Sequence, residues 1–212
     1  MESFNNQRKL LFDSLRRRGI GEQVIAAMSR VKRENFLPAE WYSYAYADEP
    51  LPIGYGQTIS APHMVAMMCQ LLDVKHGLTV LEIGTGSGYH AAVLAELVDG
   101  GTVYSIERYE HMAEEARARL PSNVVVITGD GSLGYPKEAP YDRILVTCSA
   151  PDVPPPLLAQ LQVGGRIVIP IGKGYQELFL VCKNTEIRKE AHGAVAFVLL
   201  IGAQGFHERD VR

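Results

Sequence analysis

Three acids and a serine are the residues of this chain whose types and spacing can do chemistry. Glu82 stands two positions before Gly84 in the run Glu82-Ile83-Gly84-Thr85-Gly86-Ser87-Gly88, Glu107 stands 23 positions after Gly84, and Asp130 sits within Gly129-Asp130-Gly131. Glycines at a turn let the backbone reverse sharply and let a ligand lie against it with no Cβ in the way. A helix starting there offers free N–H groups to an electronegative part of that ligand. An acid ~20 positions further on, at the end of the next strand, can take ribose hydroxyls. The pattern is G-x-G-x-G, and Tyr89 stands where a dinucleotide fingerprint has its third glycine. Tyr89 in that position disfavours a nicotinamide dinucleotide, and Glu82, aimed into the turn, would repel a pyrophosphate and suits a cationic ligand. Alone, the glycines would suit an ordinary strand-to-helix turn; the three acids point beyond it.

Ser60 lies in the second informative stretch, Ile53 to His63 (IGYGQTISAPH). Its hydroxyl can cap the helix that Pro62 opens, or it can face a substrate; the residues alone leave both readings open. His63 is likewise a ligand contact or a satisfied structural histidine. No G-x-S-x-G elbow surrounds Ser60, which disfavours a serine hydrolase.

The elements that must position these groups follow from pattern. Thr79–Ile83 predicts a buried strand and Tyr89–Val98 the helix after the glycine turn. Thr102–Ile106 predicts a second strand ending in Glu107, Val124–Thr128 a third, Tyr141–Thr147 a fourth and Arg166–Pro170 a fifth. Helices are expected over Phe4–Arg18, Glu22–Val31, Met64–Leu72 and Leu157–Leu161, and a closing hairpin from Glu177–Asn184 and Ala194–Ile201. Lys32–Pro52, with Trp41 and several tyrosines, reads as an irregular cover that could also serve as a lid. Strands alternating with helices predict an α/β fold, a doubly wound and mostly parallel sheet with an N-terminal helical extension. One domain is expected: 1–76 a helical, substrate-covering segment, 77–170 the cofactor-binding core, and 171–212 the C-terminal strands and a polar tail.

The 212 residues are 47% hydrophobic and 21% charged, with a net charge of −3, which are globular values. That balance gives no general attraction to nucleic acid or an anionic membrane. The best basic run, Arg16-Arg17-Arg18, precedes Gly19 and reads as the solvated end of a helix. Cys69, Cys148 and Cys182 sit among apolar residues with no C-x-x-C or Cys/His metal spacing, so buried free thiols in a reducing cytosol and no metal are expected. MESFNNQRKL has no hydrophobic core of a signal peptide, and no apolar run approaches ~18 residues. The expectation is a cytoplasmic monomer.

Four blocks carry a family resemblance: GYGQTISAPHMVA (54–66), VLEIGTGSGYHAAVLAEL (80–97), GTVYSIER (101–108) and APYDRILVTCSAPDVPPPLLAQL (139–161). The second and third resemble the class I S-adenosylmethionine-dependent methyltransferases generally. The first and fourth are specific, and with them the chain resembles the protein-L-isoaspartate (D-aspartate) O-methyltransferases from about Leu10 to Ile201. The resemblance implies a seven-stranded-type sheet, S-adenosyl-L-methionine as cofactor, and as substrate an isoaspartyl residue of a damaged protein, whose free α-carboxylate takes the methyl group. It puts the active-site serine on Ser60. Cofactor contacts fall on Thr58, Ile59, Ser60 and His63, on Glu82, Gly84, Thr85, Gly86 and Gly88, and on Glu107, Asp130 and Gly131. Glu82 is expected to hold the glycine turn rather than act as a base. The peptide groove is expected between Ile53–Ser60 and a Val195–Ile201 strand. Two departures stand out: Val65 where many members have a second histidine, and Leu199 where a proline is common. Rival readings are a methyltransferase of the same fold acting on RNA or a small metabolite, and an inactive module that binds an adenosine ligand.

Overall fold

The computed structural model describes residues 4–211; Met1–Ser3 and Arg212, the end of the expected polar tail, lie outside the described residues. Two amphipathic helices, α1 (Phe4–Arg17) and α2 (Glu22–Arg30), lead through short 3-10 turns to a two-stranded hairpin, β1 (Leu51–Gly54) and β2 (Gln57–Ile59). Helix α3 (Pro62–Leu72) connects this to the main sheet. Its strands are β3 (Thr79–Ile83), β4 (Thr102–Glu107), β5 (Val124–Thr128), β6 (Tyr141–Val146), β7 (Leu161–Ile171), β8 (Gln176–Lys183) and β9 (Ile187–Val195). Helices α4 (Tyr89–Val98), α5 (Glu110–Arg117) and α6 (Pro155–Gln160) complete the chain's regular elements.

The sheet order is β5-β4-β3-β6-β7-β8-β9, with β5 to β7 parallel and the β8 and β9 pairings antiparallel. The order reverses beside β3: the chain moves outward to β4 and β5, then returns to β6 on the other side. That switch opens a crevice at the carboxyl ends of β3 and β6, the place where such sheets hold ligands. In register, Ile83 lies beside Ile106 on one side and Val146 on the other, so the three strands end level with one another.

Alternation along β3 sets the two faces. Leu81 and Ile83 pack with Ile106, Ile144 and Ile167 on one side, while Val80 packs with Val103, Leu145 and Val168 on the other. Helix α4 has apolar residues all round (YHAAVLAELV), so one covered face is not enough for it. The sheet takes one side and α2, α1 and the aromatic cover take the other, with Phe36 edge-on to Tyr89 at 5.6 Å between ring centroids. The N-terminal extension therefore completes the core around α4.

Two expectations are corrected. The partner of β8 is Ile187–Val195, not Ala194–Ile201: the strand IRKEAHGAV is polar and almost entirely exposed at the sheet edge, whereas residues 196–201 form no strand of the hairpin. Strand β7 begins at Leu161, five residues earlier than expected, running through Gly164-Gly165. Helix α5, the β1–β2 hairpin and the 3-10 turns of the cover carry no expectation above.

Candidate active site

A cavity of about 720 Å³ opens at the carboxyl edge of the sheet. Its floor is the glycine turn after β3. Gly84 has φ +93°, and a Cβ there would lie 2.5 Å from Thr147 Oγ1, so glycine is required. The Thr147 hydroxyl fixes the turn from beneath, donating to Gly84 O at 2.7 Å, with Ile83 O at 3.0 Å. Glu107 faces the cavity from the end of β4 and is almost fully buried. Its carboxylate accepts the Gly86 N–H at 2.9 Å and the Tyr109 N–H at 3.1 Å, leaving lone pairs free toward the cavity.

The opposite wall comes from β2 and its continuation, Gln57 to Ser60, and from Phe197 to Ile201. The second segment is held by Gln176, whose amide accepts the Phe197 N–H at 2.7 Å and donates to Phe197 O at 3.0 Å. Leu199 forms a bridge beside Ser149: the Ser149 N–H donates to Val198 O and the Leu200 N–H to Ser149 O, each at 2.8 Å, so the wall is tied directly to the chain leaving β6.

Of the expected site residues, Thr58, Ile59, Ser60, Gly84, Thr85, Gly86, Glu107 and Gly131 line this cavity. Four expected cofactor contacts do not reach its wall. His63 is turned to Asp48, which takes the His63 N–H at 2.8 Å and faces its ring Nδ1 at 2.9 Å. Gly88 is the left-handed residue that starts α4, packed beneath Leu120. Asp130 is consumed by structure: it accepts from Ser132 N (2.9 Å), Ser132 Oγ (2.6 Å) and Ala203 N (2.7 Å), stapling the C-terminal wall to the turn after β5. Glu82 is fully buried on the α4 side of the sheet because it alternates with Leu81 and Ile83. The Ser105 hydroxyl donates to it at 2.5 Å, and Thr85 Oγ1 lies 2.6 Å from Ser105, so Glu82 reaches the cavity only through two hydroxyls. Burial, with the nearby Glu107 charge, pushes the Glu82 pKa up to about 8 against the opposing Ser105 hydrogen bond. His90 is pushed down to about 3 by burial, and its Nε2 lies 3.3 Å from Cys69 Sγ.

Ser60 is not the helix cap. The N-cap of α3 is Ala61, which has no side-chain acceptor, and Asp48 supplies the carboxylate that receives the second helical N–H. Asp48 also pairs with Arg18 at 3.1 Å, while the Arg18 side chain stays exposed at the solvated end of α1, as expected. Cys69 and Cys148 are buried free thiols, as expected, whereas Cys182 is half-buried. No cluster of three or more His, Cys, Asp or Glu able to hold a metal ion occurs among the described residues. None of the described helices is long and apolar enough to cross a membrane.

Sequence reasoning missed Thr147 and Cys148, Gln176, and the charged mouth formed by Arg108, Lys173, Glu208 and Asp210. The first pair was readable only as the tail of a strand, and the charged residues only as solvated surface.

A topological switch at β3, a glycine turn and an acid at the end of β4 define the class I S-adenosylmethionine-dependent methyltransferase fold. The protein-L-isoaspartate (D-aspartate) O-methyltransferase family model matches residues 5–205, and the chain belongs to that family. It is 56% identical over 207 residues to the protein-L-isoaspartate O-methyltransferase of Methanothrix thermoacetophila, covering 95% of this chain and 98% of that one. Among solved structures, a protein-L-isoaspartate O-methyltransferase superposes with a TM-score of 0.88 at 32% identity, over 93% of this chain and 67% of the other. A Plasmodium falciparum candidate of the same family, solved in complex with S-adenosyl-L-homocysteine, gives a TM-score of 0.82 at 28% identity, over 92% and 98% of the two chains.

Proposed function

We propose that this enzyme moves a methyl group from S-adenosyl-L-methionine to the free α-carboxylate of L-isoaspartyl residues in damaged proteins and peptides. One observation supports this reading most: Ser60, from the family-specific block, and Glu107, from the cofactor half, face the same cavity. The cavity fits the cofactor on chemical grounds. The glycine turn leaves room for a ligand laid against the backbone, and Glu107 offers acceptors of the kind that ribose hydroxyls need. Thr58, Ile59, Thr85, Gly86 and Gly131 complete that cradle. Glu82 and Asp130 act from behind it, by holding the turns, and His63 and Gly88 shape the entry of α3 and α4.

The bound sulfonium supplies an electrophilic methyl group, whose transfer turns a cation and an anion into two neutral products. The chain has little acid–base work to do, because a carboxylate of pKa ~4 is already ionised at neutral pH. Ser60 orients the acceptor oxygen by donating a hydrogen bond. The Gln57–Ser60 and Phe197–Ile201 walls hold the peptide backbone and exclude water, which favours a step in which charge disappears. No base is required for the step; His90, on the first turn of α4 and bordering the cavity, has its Nε2 engaged 3.3 Å from Cys69 Sγ.

Discrimination between isoaspartyl and aspartyl peptides cannot come from pKa, because both carboxylates are ionised. It comes from reach. The isoaspartyl chain runs through the side-chain carboxyl, so its reacting carboxylate lies about one methylene closer to the backbone. Recognition of one methylene gives only ~1–3 kcal/mol, and misplacing the attacking oxygen by ~1 Å costs a further ~100-fold. We read residues 1–76, 77–170 and 171–212 as segments of one domain acting as a monomer in the cytoplasm, with no nucleic acid or membrane partner. The test is radiolabelled methyl transfer to a synthetic isoaspartyl peptide beside its aspartyl twin. Transfer to the first alone is expected; comparable kcat/KM for both, or no transfer to either, would reject the substrate.

A further inference from the structure

The mouth of the cavity is crossed by the end of the described chain. Arg108 follows β4 and Lys173 lies in the turn between β7 and β8, so β3 and β6 stand between them in the sheet. The segment from His207 through the 3-10 turn Glu208–Val211 joins these two points. Arg108 Nη2 donates to Glu208 Oε1 at 2.8 Å, and Lys173 Nζ donates to Asp210 Oδ1 at 3.2 Å. All four residues border the cavity. The base of the strap is fixed, since the Phe206 N–H donates to Leu200 O at 2.8 Å. The strap's acid is pre-set as well, because Asp210 Oδ2 accepts the His207 N–H at 2.9 Å. The His207 N–H, first, and the Lys173 ammonium, next, hold Asp210 below the usual carboxylate range.

The closure itself is weak. The Glu208 side chain is 81% exposed and that of Lys173 51%, and ion pairs so exposed are worth little and are screened by salt. A peptide bearing negative charge meets at this mouth two cations whose present partners are easily displaced. The segment also lies past residue 205, where the match to the family model ends.

We propose that residues 207–211 are an electrostatic gate over the cavity. Glu208 and Asp210 hold Arg108 and Lys173 until an anionic peptide displaces them, and the freed cations then read negative charge flanking the modified residue. The proposal rests on the reading of the cavity as a cofactor and peptide site.

The test uses the full chain as wild type, the double variant E208Q/D210N, and K173Q. Two quantities are measured: the release rate of S-adenosylhomocysteine by stopped flow, and kcat/KM for two isoaspartyl peptides that differ only in Glu or Lys flanks. At ~0.01 M salt, where charges act over ~30 Å, the double variant should release the nucleoside about fivefold faster than wild type. It should also shift preference toward the Glu-flanked peptide about fivefold, whereas K173Q should lose that preference. At ~1 M salt, where the screening length is ~3 Å, wild type should release as fast as the double variant. Equal release and equal preference at low salt would overturn the gate. So would a wild-type release rate indifferent to salt, a measurement that needs no substitution to fold. If wild type methylates neither peptide, the substrate reading fails and the charge-reading role falls with it, while the release rates still decide the gate.

Discussion

The Glu107 carboxylate accepts the Gly86 N–H at 2.9 Å, which ties the acid at the end of β4 to the glycine turn that follows β3. One side chain thus braces the turn and faces the cavity. Glu107→Gln separates the two duties. The amide keeps an acceptor for Gly86 but gives up the one that Tyr109 N–H uses, at a small cost in stability, and it loses the charge; charge-assisted hydrogen bonds are worth ~1.5–3 kcal/mol each. The expected result is an affinity for S-adenosylhomocysteine at least ~10-fold weaker, with the fold kept and the melting temperature only slightly lowered by the lost Tyr109 bond. Calorimetry giving an unchanged Kd would remove Glu107 from the cofactor site.

Ser60→Ala now has a sharper expectation than the sequence allowed. Asp48 caps α3 and Ala61 occupies the cap position, so the Ser60 hydroxyl is free of that duty. Losing a true cap costs ~1 kcal/mol; here stability should stay within ~0.5 kcal/mol of wild type while kcat falls and cofactor affinity holds. Melting temperature and kcat measured on one preparation decide it. A destabilised but fully active variant would return Ser60 to a structural role.

Gly202→Ala tests the staple between the C-terminal wall and the turn after β5. A Cβ at Gly202 would lie 2.0 Å from Asp130 Oδ1 and 2.6 Å from Ser132 Oγ. Asp130 is bound to three donors and cannot step aside without breaking them. The substitution should cost ~1–3 kcal/mol, as overpacking does, and should raise KM for peptide more than it weakens cofactor binding. Urea unfolding and steady-state kinetics report the two effects. Wild-type stability in this variant would mean that the wall is free to move.

What was legible in the sequence was what local pattern controls. The strand, glycine turn and helix around Gly84, and the acid closing Thr102–Glu107, announce themselves within a few residues, and the structure places them as read. The hairpin partner was misread because apolar content followed the cavity and not the sheet. Phe197–Ile201 is apolar since it lines a pocket and caps the core, while the true edge strand Ile187–Val195 is wet on both faces and carries almost no hydrophobic signal. Asp48 and Asp130 could not be assigned from sequence either. Their partners, His63 and Ala203, lie 15 and 73 positions away, and a carboxylate's role depends on which N–H groups the fold brings to it.

Glu82 and His90 together set a pH dependence with an unusual shape. Glu82 has its pKa pushed up to about 8 by burial, first, and by the Glu107 charge. An unfolded glutamate titrates near ~4.3, so from there to about 8 the native state keeps a proton that the unfolded chain has lost. Its contribution to stability therefore falls as pH rises through that window and levels off above it. His90 works the other way. Burial keeps it neutral down to about 3, whereas the unfolded chain protonates near ~6.5, so stability is lost as pH drops below ~6.5. The two slopes oppose each other between ~4.3 and ~6.5, and above ~6.5 only Glu82 acts. Glu82→Gln keeps the shape and an acceptor for the Ser105 hydroxyl but removes the titration. In ligand-free protein, melting curves from acid to mild alkali should diverge as pH rises, with the variant ahead by at least ~1 kcal/mol at the alkaline end. Below ~6.5 the variant should show the His90 loss on acidification with no opposing slope. Surface acids and bases are common to both proteins and cancel in the comparison. Parallel curves would mean that Glu82 titrates in the native state as it does in the unfolded chain, and would remove its burial as a source of pH dependence.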